Sequence, residues 1–139
     1  MNSKLDKWTL TLLRAVLGII FMYHGYMKLF APGGFVSTVD LMAKIGILLP
    51  KASALIVAIA EFFGGILLIA GAATAWVSAL LLFEMSAAFF TVHVRNGLLV
   101  SKGGYEFVLL ILAGLLIILV NGPGKLALGK KLFKSRHWH

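Results

Sequence analysis

Three of the five acidic residues in this 139-residue chain, Glu61, Glu84 and Glu106, fall within or at the edge of long apolar stretches, and Arg14, His24, Lys28 and His93 join them there. Histidine and glutamate can take up, hold and pass on protons, and a lysine or arginine beside them can fix an anion. Placed among apolar neighbours such groups are expensive. They turn to the interior of a helix bundle, find partners and mark a site. At about 1.5 Å of rise per residue, Glu61 and Glu84 both fall roughly 13–14 Å from the outer surface, near the middle of a bilayer. Arg14 falls about 9 Å from the inner surface, within reach of either glutamate, while His24, Lys28, His93 and Glu106 fall in the outer third.

Spacing decides which of these groups share a neighbourhood. Arg14, Gly18, Phe21, Gly25 and Lys28 follow one another at intervals of four, three, four and three. One helix face thus carries both cations, with glycines between them that admit a second backbone. His24 precedes Lys28 by one turn. Gly64 and Gly65, just beyond Glu61, are read as a second close-packing site. Glu84 and His93 are nine residues apart, about 180° around a straight helix, so they meet the same neighbour only if the helix kinks. Glu84 is therefore expected to face another helix or a second subunit. Taken singly, Arg14, Lys28 and Glu106 can also be read as snorkelling residues or as structural pairs such as Lys28–Glu106.

The elements that position these groups follow from composition. Sixty per cent of the residues are hydrophobic, 13% are charged, and the mean hydropathy is +0.98. A soluble domain carries roughly twice that share of charge. The chain is read as an integral membrane protein, which excludes a soluble enzyme. Its net charge of +8 is read as lipid-facing rather than nucleic-acid-binding. With no cysteine, disulfides, thiolate metal sites and thiol redox pairs are excluded. Residues 52–94 form one apolar stretch that would reach about 64 Å as a single helix, twice a bilayer core, so it must turn near residues 71–74.

The fold class predicted is an all-α, four-helix transmembrane bundle with spans at 8–30, 52–71, 74–94 and 105–121, treated as one domain over 1–139. Between the first two spans Phe35, Val39, Met42, Ile45 and Leu49 recur at helical spacing before Pro50, which predicts a short interfacial helix. Four spans place both termini on one side. Lys4, Lys7 and the basic tail 125–139 outnumber Lys44, Lys51, Arg95 and Lys102 opposite, so the termini are expected in the cytoplasm.

Read together, these residues form a recognisable pattern. Arg14-x3-Gly18-x2-Phe21-x2-His24-Gly25-x2-Lys28-Leu29-Phe30, then Glu61-x2-Gly64-Gly65-x5-Gly71, then His93, Gly104-Tyr105-Glu106 and Gly122-Pro123-Gly124, resemble the DoxX family from about Arg14 to Leu128. The resemblance implies a small four-helix protein of the bacterial inner membrane. It also implies an association with quinone-linked or thiol-linked redox complexes, and a polar cluster of Arg14, His24, Lys28, Glu61, His93, Tyr105 and Glu106. The chain departs from that family in lacking an acidic residue near Gly129 and a basic residue after Gly71. Glu84 is not a position associated with the family.

Two classes of function stay open on the residues themselves. In the first, histidine and glutamate hydrogen-bond a quinone or similar small ligand and exchange protons with it, Phe21 and Tyr105 framing the ring. No flavin or iron–sulfur motif supplies electrons here, so a partner oxidoreductase is required. Haem held by His24 and His93, or a metal on His24, Glu61, His93 and Glu106, is less favoured, because no compact ligand spacing points to either. In the second, the same groups serve a small proton-linked transporter, its wall completed by homo-oligomerisation. A membrane scaffold for a redox enzyme is the non-catalytic alternative.

Overall fold

Glycine and proline punctuate the apolar sequence, and the helices fall between them. The computed structural model describes residues 3–129. Helix α1 runs Ser3–Phe30, α2 Gly34–Lys44, α3 Pro50–Ala70, α4 Thr74–Ala88 and α5 Glu106–Asn121. The basic tail from Lys130 to His139 lies outside the described residues.

Gly71 ends α3 in the left-handed region (φ 71°), where its N–H and that of Ala72 close onto the carbonyls of Leu68 and Leu67. This double bond satisfies the last carbonyls of the helix and turns the chain into α4. Pro50 opens α3, where a missing N–H is harmless. Beyond Ala88, α4 continues as a π-helical turn, Phe89–His93, and a 3₁₀ turn, Val94–Asn96.

Among the described residues three segments are long and apolar enough to cross a membrane: Lys7–Phe30, Pro50–Ala70 and Thr74–Asn96. Helix α5 is shorter, with 16 residues reaching about 24 Å. The protein is thus an all-helical membrane bundle, and α2 is the short helix expected between the first two spans, ending at Lys44 instead of running through Leu49 to Pro50.

The four long helices form a ring in the order α1, α3, α4, α5, with α2 packed on α1 and α3. The tightest pair is α1 with α3, and glycines are the reason. A Cβ on Gly18 would meet the carbonyl oxygen of Gly65 at 2.7 Å, and one on Gly25 would run into the backbone of Phe62. Gly25→Ala is therefore expected to force the two backbones apart and lower stability by about 2 kcal/mol, seen as a lower melting temperature in detergent. An unchanged melting temperature would refute this close packing.

The two pairs, α1 with α3 and α4 with α5, join only through the inner half of the bundle. There Leu17, Phe21, Leu68, Leu81, Leu115 and Ile118 make a continuous apolar core. Toward the outer end the pairs separate. The polar residues lie in the space between them.

Candidate functional site

Side chains on a helix lean toward its N-terminus. Lys28 sits in the last turn of α1, so it reaches inward, and its Nζ donates to Oε2 of Glu61 on α3. Glu61 is 5% exposed. Glu84, on α4, brings its carboxyl into hydrogen-bonding contact with Glu61. Two carboxyls in such contact need a proton between their oxygens. Lys28, Glu61 and a protonated Glu84 then sum to zero charge, the arrangement a low-dielectric interior tolerates.

His24 and His93 line the same cavity as this triad, and each ring is oriented by a backbone carbonyl. Nδ1 of His24 lies 2.8 Å from the oxygen of Ile20, and Nδ1 of His93 lies 2.8 Å from that of Gly103. A carbonyl oxygen only accepts, so Nδ1 carries the hydrogen in both rings. Nε2 is left with its lone pair free to accept.

His24, Lys28, Glu61, Glu84 and His93 all line one cavity of about 750 Å³ between the splayed helix pairs. Its walls are otherwise mostly apolar, with Phe21, Met42, Met85 and Ile111 among them. A largely apolar hollow with a few convergent polar groups is the form of a small-molecule site.

Glu84 and His93 line the same cavity, which corrects the expectation that they diverge. On a regular helix nine residues separate them by about 180°. The π turn at Phe89–His93 inserts one residue, which rotates the rest of the helix by about 100° and brings His93 round toward the glutamate's side. Glu84 faces Glu61 of its own chain.

Three of the residues grouped by sequence lie elsewhere. Arg14 does not reach the glutamates: it sits level with Gly71, about 15 Å inward of Glu61 along α3. Only 2% exposed, it donates to the carbonyls of Pro123 and Leu126, and more weakly to that of Ile69 at 3.4 Å. It is a clamp that holds the segment after α5 against α1 and α3. Glu106 accepts from the N–H of Val100 at 2.6 Å and shapes the outer hairpin, so the pairing Lys28–Glu106 does not form. Tyr105 stacks edge-on against Phe89, with ring centroids 5.3 Å apart. Gly18, Gly25 and Gly65 do lie at the α1–α3 contact, while Gly64 faces Val77 and Leu81 of α4.

Arg14→Met is expected to strip the part-buried carbonyls of Pro123 and Leu126 of their donor and destabilise the protein by about 2–4 kcal/mol. Limited proteolysis should then cut near Pro123, and lysine at the same position should rescue poorly because it lacks the planar fork. Cleavage no faster than in the parent would refute the clamp.

The site residues a sequence reading omits are those of α2 and Ile45 just after it. Leu41, Met42 and Ile45 cover the cavity from the outer side, and Ser37 and Thr38 reach its edge. The helical repeat of Met42 and Ile45 signals a buried face, without saying what it covers. Among the described residues no three histidine, aspartate or glutamate side chains converge as a metal site.

Comparison with known proteins agrees with the architecture. The DoxX family model matches residues 9–94. The chain is 33% identical over 136 residues to a Bacillus subtilis protein named "Putative oxidoreductase CatD", covering 98% of this chain and 95% of that one. It is also 33% identical over 75 residues to an uncharacterised protein of Haemophilus influenzae, covering 52% of this chain and 50% of the other. No solved structure matches the chain.

Proposed function

The chain belongs to the DoxX family, and on that premise we propose that it is a membrane component of a redox system that binds a quinone in the outer-half cavity and acts with a partner oxidoreductase. The observation that carries this reading is the pair of histidines, His24 and His93, each with Nδ1 committed to a carbonyl and Nε2 free, in the cavity that Glu61 and Glu84 also line. The oxidoreductase name of the Bacillus relative supports the same direction.

Reduction of a quinone takes up two electrons and two protons, and the partner supplies the electrons. The residues of this chain do the rest. The Nε2 atoms accept from the hydroxyls of the reduced ring, and when protonated they donate to the carbonyls of the oxidised one. Glu61 and Glu84 hold a proton within the same cavity, and Lys28 keeps the pair close to neutral. Phe21 and Met85 provide apolar contact for a ring. The same reading has the protein in the bacterial inner membrane as a homo-oligomer, and the excess of Lys4, Lys7 and the tail lysines over the opposite side supports cytoplasmic termini.

The test uses the protein in mild detergent, titrated with a tail-less benzoquinone and followed by quenching of its tryptophans. Binding is expected, and His24→Ala and His93→Ala should each weaken it about tenfold, the worth of one hydrogen bond. Wild-type protein that binds no quinone, or alanine variants that bind as tightly as the parent, would remove the reading. The mid-membrane carboxyl pair also favours a second reading, proton-linked transport. Proteoliposomes carrying a pH dye separate the two: only a transporter moves protons without an electron donor, and Glu84→Gln should then stop the flux.

A further inference from the structure

We propose that the cavity opens sideways into the hydrocarbon of the bilayer, between α3 and α4, and takes the head of a long-tailed, membrane-dissolved ligand whose tail leaves past Ile56 and Phe83. The proposal rests on the ligand-binding reading above and adds the route and the physical class of the ligand.

The argument is one of depth. Helices α3 and α4 are joined at residues 71–74 and packed together in the inner half, where Gly64 of α3 faces Val77 and Leu81 of α4. Beyond that contact they part, and both sides of the gap line the cavity: Ile56 on α3, Leu80, Phe83 and Ala87 on α4. Ile56 is 66% exposed, Leu80 50% and Phe83 76%. Counted from the turn, Leu80 lies about 9 Å up the helix and Phe83 about 14 Å, the latter level with Glu61 and Glu84. At that depth there is no water. An opening with exposed apolar residues at mid-membrane meets lipid chains, and only a molecule already dissolved among them passes through it.

The outer end is differently built. Leu41 and Met42 of α2 and Ile45 just after it roof the cavity there, and Val100, Gly103 and Gly104 of the outer hairpin line it too. Lys28, Glu61 and Glu84 meet in the space with the side gap beside them, while His93 is held toward the outer hairpin through Gly103. A head group reaching Glu61 and His24 therefore leaves its tail directed along the α3–α4 gap. A water-soluble ligand would need no such gap.

The test compares two probes in lipid nanodiscs, a tail-less benzoquinone and the same head on an isoprenoid tail that carries a photoreactive group. Affinities are compared at equal mole fraction in lipid, so that partitioning alone gives no advantage. The tailed probe is expected to bind at least tenfold more tightly, and illumination should attach it to peptides containing Ile56, Leu80 or Phe83. Ala87→Trp, which narrows the gap at a lipid-facing position, should slow binding of the tailed probe at least tenfold more than that of the tail-less one. Equal affinities, attachment to α2 instead, or indifference to Ala87→Trp would each overturn the lateral route while sparing the head-group site. Failure of both probes to bind would overturn the head-group site and the lateral route together.

Discussion

Replacing Glu61 by glutamine is expected to lower stability by about 3 kcal/mol, the largest loss from any single change in the outer half. The residue is 5% exposed and is the carboxylate that pairs with Lys28. Breaking a buried pair by removing one partner typically costs about 3–5 kcal/mol, because the other charge is left without compensation. Here a second carboxyl moderates the cost. Glu84 touches Glu61, and it can release its proton and become the counter-ion of Lys28 in its place. The loss should fall at the lower end of the range for that reason.

A sharper effect is expected of the two glutamates together. Glu84→Gln alone keeps a donor for Glu61 and should cost under about 1 kcal/mol. The double variant removes both counter-ions, and its loss should exceed the sum of the singles by about 1–2 kcal/mol. Thermal unfolding of the four proteins in one detergent measures this coupling. Simple additivity would mean that Glu84 plays no part in balancing Lys28.

These residues also mark how far a sequence of this kind discloses its fold and its site. The bundle is legible because a bilayer leaves few choices: apolar stretches of about 20 residues are helices, and an apolar stretch of twice that length must turn. Gly18, Gly25 and Gly65 announce the α1–α3 contact, since close backbone approach has no other cheap solution. The cluster is legible in part. Depth sets His24, Lys28 and His93 in the outer third and Glu61 nearer the middle, and these four do share a cavity. Depth misplaces Arg14, because position along a helix says little about level when neighbouring helices are staggered. Helix α1 extends inward past the α3–α4 turn, so Arg14 meets Gly71 and the chain after α5, not the glutamates. Glu106 and Tyr105 are misplaced because a residue at the start of a helix serves the adjoining hairpin as readily as the interior. Glu84 is separated from His93 by a straight-helix argument that a single π turn undoes.

That π turn makes the second prediction. Deleting Phe90, a lipid-facing residue within the Phe89–His93 turn, removes the inserted residue and should let α4 continue as a regular helix through His93. Eight regular steps after Glu84 set His93 about 80° round the helix, the same direction that nine residues with one inserted give it. The ring therefore keeps its side of the helix and its bond to the carbonyl of Gly103. Glu84 lies before the deletion and keeps its contact with Glu61. Stability and quinone binding should both change little in the deletion variant, and adding His93→Ala to it should weaken binding about tenfold, as in the parent. If the deletion alone weakens binding as far as His93→Ala does, the turn is not a one-residue insertion and another distortion of α4 brings His93 to the site.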